Sequence, residues 1–333
     1  MTGVIVTRLR TMPVAAVAVL GGHVVGAVVQ TLLAAGAVRG HHAHPGPHVP
    51  RAPALHPIRD RPRWHHLPWV LVLVLLPPSE TKRAGGDGGP LDLAALSFPE
   101  LTGVRTELAE ALVELADDPP LARTALGLSP AQDDELTRNA ALWTSPALPA
   151  LERYTGVLYD ALDIASLTRA QRRRADARLA VGSALFGLLR AGDRVPAYRL
   201  SAGSALPGRP GLRALWRPVL GPLLSAVDDL VVDLRSGAYA ALAPVPGAVT
   251  VRVESERPDG ARSVVSHFSK AHKGRLARLL ATTTAEPGDV VRLRGLLRRA
   301  GLHVEHDGAT ELTLVVPADQ VVPPRAGHGR IAG

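Results

Sequence analysis

Apolar residues run unbroken from Val70 to Leu76 and stop at Pro77-Pro78, a length and a boundary that predict a buried central strand. The run empties into Ser79, Glu80, Thr81 and Lys82, and then into the glycine-rich AGGDGGP. Polar groups gathered beyond a strand's carboxyl end suit a binding site in an α/β protein, although a plain surface turn accounts for the same residues. From Ser97 to Trp143 the period lengthens. Leu101, Val104, Leu108, Leu112 and Leu115 share one helical face, and Ser129-Pro130 supplies a cap with proline at the first helical position. Residues 150–163 continue as helix, interrupted at Tyr154, Thr155 and Gly156. Thr168 and Gln171 then form a capping box that opens a basic helix with Arg169, Arg172, Arg173, Arg174 and Arg178.

Val181 to Ser204 is the densest stretch. Gly182, Gly187 and Gly192 recur around Leu185, Phe186, Leu188 and Leu189, which reads as an apolar helix broken by glycine. The segment closes on Arg190, Asp193, Arg194, Tyr198 and Arg199. Either some ligand approaches that backbone closely, or this is a helix pair with a tight turn. Farther on, LVVDL (230–234) predicts a second buried strand, ending in Arg235, Ser236, Gly237 and Tyr239. Residues 248–254 and 262–269 predict a hairpin about ERPDGA, and the second strand feeds a helix that opens with Lys270 and Lys273. Cations in a first turn oppose the helix dipole, which favours an anionic partner there. A further helix over 289–300, an edge hairpin over 302–316 and a loose tail from Pro317 complete the chain. The order predicts a mixed α/β fold, a mixed sheet wrapped by helices.

Residues 1–68 differ from the rest. They hold an apolar stretch at 12–38 that superficially resembles a signal peptide or a membrane span, and eight of the thirteen histidines. The expectation is a disordered extension, or upstream sequence read from too early a start codon, with no stable membrane association. Charge supports the division. The formal net charge is +8, but residues 1–68 carry seven arginines and one acid, which leaves 31 basic and 29 acidic residues beyond. Any nucleic-acid argument therefore rests on where charges sit.

The absence of cysteine excludes disulfides, thiolate metal sites and cysteine redox chemistry. Lysine is nearly as rare: Lys82, Lys270 and Lys273 stand beside 35 arginines. A compact, tunable ammonium at those three positions invites a functional question. His267, His272, His303 and His306 lack the spacing and companion carboxylates of a metal centre, no GxSxG elbow is present, and neither a metal nor a cofactor is expected. An anion-binding cleft is better supported, built from Lys82, Gly187, Arg190, Arg199, Arg235, Ser236, Lys270 and Lys273 if the strands are neighbours. Glu80, Lys82 and Tyr198 are the catalytic candidates should the cleft be an enzyme's.

Six segments in order, LLPPSETK (75–82), RYTGVLYDAL (153–162), GSALFGLLRAGDRVPAYRLSAGSALPG (182–208), LW (215–216), VVDLRSGAYAAL (231–242) and VSHFSKAHKGRLARLL (265–280), resemble the YaaA peroxide-stress family over residues 69–316. The resemblance implies a cytosolic protein that limits iron-dependent damage under hydrogen peroxide and binds DNA. It also implies an α/β fold with a positively charged cleft and a helix-hairpin-helix element, placed here on Ser183–Arg190 and its flanks. Some relatives carry SPAKT, putting lysine where this chain has Glu80. Two readings follow: a monomeric DNA-binding stress protein with little base readout, or an enzyme acting on a nucleotide or damaged nucleic acid in the same cleft.

Overall fold

The computed structural model describes residues 72–264, 269–306 and 308–318, all within one compact unit. The expectations for residues 1–68, for Val70 and Leu71, for His267 and for the tail beyond residue 318 lie outside the described residues.

Strand β1 (Val72–Leu76) is buried on both faces, no residue more than 1% exposed. It is followed by α1 (Thr102–Leu115), α2 (Pro119–Leu126), α3 (Asp134–Ala140), β2 (Leu148–Pro149), α4 (Ala150–Arg153), α5 (Val157–Leu162) and α6 (Arg169–Arg178). Asp118 caps α2 ahead of two prolines, and the Thr168–Gln171 capping box fixes the start of α6. Next come β3 (Leu179–Ser183), β4 (Gly187–Arg190), β5 (Arg194–Val195), α7 (Leu212–Ser225), β6 (Leu230–Asp233) and the single turn α8 (Gly237–Ala240). The chain continues with β7 (Val249–Glu256), β8 (Arg262–Val264), α9 (Ser269–Thr282), α10 (Val290–Arg299), β9 (His303–His306) and β10 (Glu311–Pro317).

The main sheet runs β4-β3-β1-β6-β7-β10-β9, with β8 also paired to β7, and β2 pairs separately with β5. β1 is parallel to β3 and β6, β7 is parallel to β6 and β10, and the outer strands β4, β8 and β9 are antiparallel to their neighbours. The mixed sheet and its helices match the sequence reading. Pro317 closes β10 instead of opening a tail.

One expectation fails. Residues 181–190 form no helix: Ser183 pairs with Gly187 and Ala180 with Arg190 in an antiparallel β3–β4 hairpin. Because both faces are buried, the strands carry no alternation, and a continuous apolar run does not distinguish strand from helix. Gly187 is required for local reasons. Its φ is +70°, and a Cβ would lie 2.6 Å from Cζ3 of Trp216. Trp216 lies on α7, fully buried, with its indole N–H donating to Ala184 O at 2.8 Å. The helix-hairpin-helix element placed on Ser183–Arg190 is accordingly absent from that position.

The parallel strands set the site. From β1 the chain crosses to β3 on one side, and β6 lies on the other, so the connections diverge between β1 and β6. Crevices outside strand carboxyl ends at such a divergence are favoured ligand sites. The residues after β1 and those after β6 both open there.

Candidate functional site

The loop after β1 is stitched to the loop after α4. Lys82 bridges Tyr154, the Thr155 N–H donates to Thr81 O at 3.2 Å, and the Arg83 N–H donates to Arg153 O at 2.9 Å. Arg153 is fully buried and anchors the junction through Val195 O and Pro146 O, each at 2.9 Å, and through Arg83 O. Gly156, at φ +96°, lets the loops close, since a Cβ would sit 3.2 Å from Thr81 Oγ1 and 3.3 Å from Ser79 Oγ.

This stitching lays Lys82 over aromatic rings. Its Nζ is 4.3 Å from the Tyr198 ring centroid and 5.5 Å from that of Tyr154, and it donates to Ser79 O at 3.1 Å and to Glu80 O at 3.4 Å. Burial pushes the ammonium down to about 8; Glu80 and Glu135 oppose that shift, while Arg199 and Arg138 add to it. The residue is recessed without being sealed from solvent.

Beneath it lies a buried hydroxyl chain. Tyr154 and Tyr198 share a hydrogen bond at 2.9 Å, Tyr198 and Ser183 share one at 2.7 Å, and Ser183 Oγ accepts from the Phe186 N–H at 2.9 Å. Burial raises Tyr154 to about 12 and Tyr198 well above the usual phenol range, so both remain neutral donors at physiological pH. Ser183 sits at the carboxyl end of β3, so the hydroxyl chain joins that strand end to the loop after β1. Sequence reasoning named Tyr198 and missed the Tyr154–Ser183 linkage; the rarity of tyrosine in the chain was the available signal.

Glu80 and Arg199 form the rim. Glu80 Oε2 is 2.6 Å from Arg199 Nη1, with the carboxylate half exposed and the guanidinium largely buried. Asn139 clamps the Arg199 backbone, accepting from its N–H at 2.7 Å and donating to its carbonyl at 3.0 Å. Arg199 Nε is buried without a hydrogen-bond partner among the described residues. Burial, with the Glu80 charge adding to it, raises the Tyr239 phenol well above its ordinary value.

At the end of β6 the outcome is different. Arg235 is buried and bidentate on Asp233, at 2.9 and 2.7 Å, and it also donates to Tyr239 O and Ala243 O. A Cβ on Gly182 would touch its Cδ at 3.0 Å, so the side chain is packed as well as paired. Lys273 is half-buried and donates to Leu234 O at 3.3 Å; burial lowers its ammonium and Asp233 opposes the shift. Ser236 and Lys270 remain exposed.

The eight residues assigned to phosphate therefore divide. Lys82 and Arg199 converge at the crevice, and Ser236 and Lys270 are open to solvent at the surface. Arg235 is consumed by Asp233, and Lys273 is turned toward the β6 end. Gly187 is covered by Trp216. Arg190 donates to Ala177 O at 2.7 Å and is spent on the end of α6. A separate open hollow of about 510 Å³ touches Tyr154 and Tyr159 but is walled by Arg83, Glu152, Asp160 and Arg172. Arg172 there is already paired with Glu152 and Asp176, at 2.9 and 2.8 Å, which leaves the distinctive chemistry at Lys82. No group of three or more metal-ligating side chains occurs among the described residues, and none of their helices is long and apolar enough to cross a membrane.

Comparison with known proteins gives concordant matches. The family described as peroxide stress protein YaaA matches residues 72–307. A UPF0246 protein of Corynebacterium efficiens is 51% identical over 251 residues, 74% of this chain and all of that protein. A UPF0246 protein of Streptomyces coelicolor is 48% identical over 239 residues, 70% of this chain and 92% of that protein. One from Salinispora tropica is 31% identical over 235 residues, 66% of this chain and 85% of that protein.

Proposed function

From the premise that the chain belongs to the peroxide stress protein YaaA family, we propose that it serves in peroxide stress by binding DNA at the crevice beyond β1 and β6, limiting iron-dependent oxidative damage. Membership gives it a peroxide-stress-related role; DNA binding is the reading that the geometry supports best. The observation that carries it is the convergence of Lys82, Arg199 and Glu80 at a divergence of parallel strands, with Ser236 and Lys270 left exposed after β6 and at the start of α9. Cations at such a site hold phosphate oxygens and position a duplex without reading bases. The protein acts as a monomer in the cytosol on this reading.

Fluorescence anisotropy with labelled duplexes tests it. Lys270→Ala together with Arg199→Ala should weaken binding to unrelated sequences alike and reduce the salt slope by about 1 for each phosphate no longer neutralised. Undiminished binding by the double variant overturns the proposal.

A second reading has its own support. An amine pushed down to about 8 beside neutral tyrosines is an arrangement suited to nucleophilic or acid–base chemistry, which favours an enzyme acting on a nucleotide or damaged nucleic acid.

A further inference from the structure

We propose that Lys82 is a nucleophilic amine that condenses with an aldehyde carried beside a phosphate, the phosphate being held by Arg199 and Arg138. The proposal deepens the nucleic-acid reading of the same crevice and rests on it for the source of the aldehyde.

The geometry comes first. Lys82 Nζ is held at a fixed place by two backbone carbonyls, Ser79 O and Glu80 O, and by the face of Tyr198 at 4.3 Å. Among the described residues, no carboxylate lies within ion-pair distance of it; the nearer acid in sequence, Glu80, is engaged by Arg199 at 2.6 Å. An amine fixed in this way and relieved of a direct counter-ion is a poor structural cation and a competent nucleophile, since desolvation favours its neutral form. The charged groups acting on it are Glu80 and Glu135, which favour the ammonium, and Arg199 and Arg138, which disfavour it. Tyr154 and Tyr198 contribute ring faces and neutral hydroxyls to the same surroundings. Arg199 and Arg138 are the cations beside it, each paired with a glutamate that a phosphate would have to displace, Glu80 at 2.6 Å and Glu135 at 2.7 Å, and the buried Nε–H of Arg199 has no protein acceptor among the described residues.

The chemistry balances without an oxidant. The neutral amine attacks the aldehyde carbon, a C–N bond forms, and the carbonyl π pair moves to oxygen, which takes a proton. The resulting carbinolamine loses that oxygen as water, and the nitrogen retains one proton as an iminium. The sum is ammonium plus aldehyde giving iminium plus water. The proton released from nitrogen passes to solvent and the departing hydroxyl takes one back from it, since no carboxylate reaches Nζ directly and the amine is not sealed from water. Oxidative cleavage of sugars generates aldehydes next to phosphates, which fits a peroxide-stress setting.

The test exploits the lysine count. The full chain is incubated with sodium cyanoborohydride, a hydride donor that reduces the iminium to a secondary amine. One arm uses a duplex containing an abasic site and the other glyceraldehyde 3-phosphate. The chain holds only three lysines, so peptide mass spectrometry assigns the adduct without ambiguity. The expected result is capture at Lys82 at least about tenfold faster than at Lys270 or Lys273, its initial rate rising with pH and levelling near 8. Lys82→Arg should abolish it while keeping the melting temperature of the parent. Capture by the abasic duplex alone makes nucleic acid the source; capture by the triose phosphate alone makes it a small metabolite. No adduct, or one spread evenly over the three lysines and the amino terminus, overturns the assignment. Duplex binding without capture sinks this inference and leaves DNA binding standing. Capture of the small aldehyde without duplex binding does the reverse.

Discussion

The Lys82 ammonium stands 4.3 Å above the ring of Tyr198, whose hydroxyl is tied to Ser183 at the end of the neighbouring strand β3. A cation–π contact of this kind stabilises the charged amine by about 1–2 kcal/mol when partly desolvated, yet burial outweighs it. The folded chain releases the Lys82 proton near 8, whereas the unfolded chain holds it to 10.5. Between those values the unfolded state binds more protons, so stability rises with pH; below about 8 the full penalty is present. Lys82→Met should raise stability at pH 7 by on the order of 2 kcal/mol and flatten the upward slope to the part that the half-buried Lys273 contributes, as read by urea denaturation at several pH values. The slope reverses above pH 10, where Tyr154, Tyr159 and Tyr198 hold their protons in the fold and lose them on unfolding.

Glu80 competes with any anion for Arg199. Glu80→Gln removes that competitor while preserving shape, so duplex affinity should rise about two- to fivefold at low salt, with the gain vanishing at high salt. Weaker binding by this variant would make Glu80 a contributor to the ligand site instead of a screen.

Arg235 is a structural cation. Arg235→Ala strands a buried Asp233 carboxylate and should destabilise the fold by about 3–5 kcal/mol in chemical denaturation. Lys270→Ala, at an exposed position, should change stability by less than about 0.5 kcal/mol. A fully stable Arg235→Ala protein that no longer binds DNA would contradict this division of roles.

Gly187→Ala forces a side chain into positive φ and against Trp216. The conformational strain alone is about 1–2 kcal/mol, and displacing a buried tryptophan adds to it. Calorimetry should show a melting temperature lower by about 5 °C or more. A variant that melts with the parent would mean that Trp216 repacks freely.

Much of the fold is legible in the residues. β1 announces itself because seven apolar residues meet two prolines, and β6 because the short apolar run of LVVDL ends in the polar Arg235 and Ser236. Glu80 and Lys82 are identifiable because they follow a buried strand of the parallel sheet, and Tyr198 and Arg199 because they close the glycine-punctuated segment that begins at Val181. The β3–β4 hairpin is not legible. Its turn, Ala184-Leu185-Phe186, is fully buried and lacks the usual turn residues, so neither polarity nor alternation marks the reversal. Arg235 reads as a ligand cation only while its partner goes unnoticed, and Asp233 two residues earlier is the clue that assigns it to the fold. The Asn139 clamp on Arg199 joins residues sixty positions apart, and no local pattern foretells it.

Lys82 is, at the centre of all this, a desolvated amine in the crevice, and its titration is directly measurable. NMR of the protein labelled at the lysine ε-carbons carries three side-chain signals, assigned by single Lys→Arg replacements. One resonance, absent from Lys82→Arg, should titrate near 8 and shift when the abasic duplex is added. A Lys82 signal that titrates near the ordinary 10.5 and ignores the duplex would contradict the central claim.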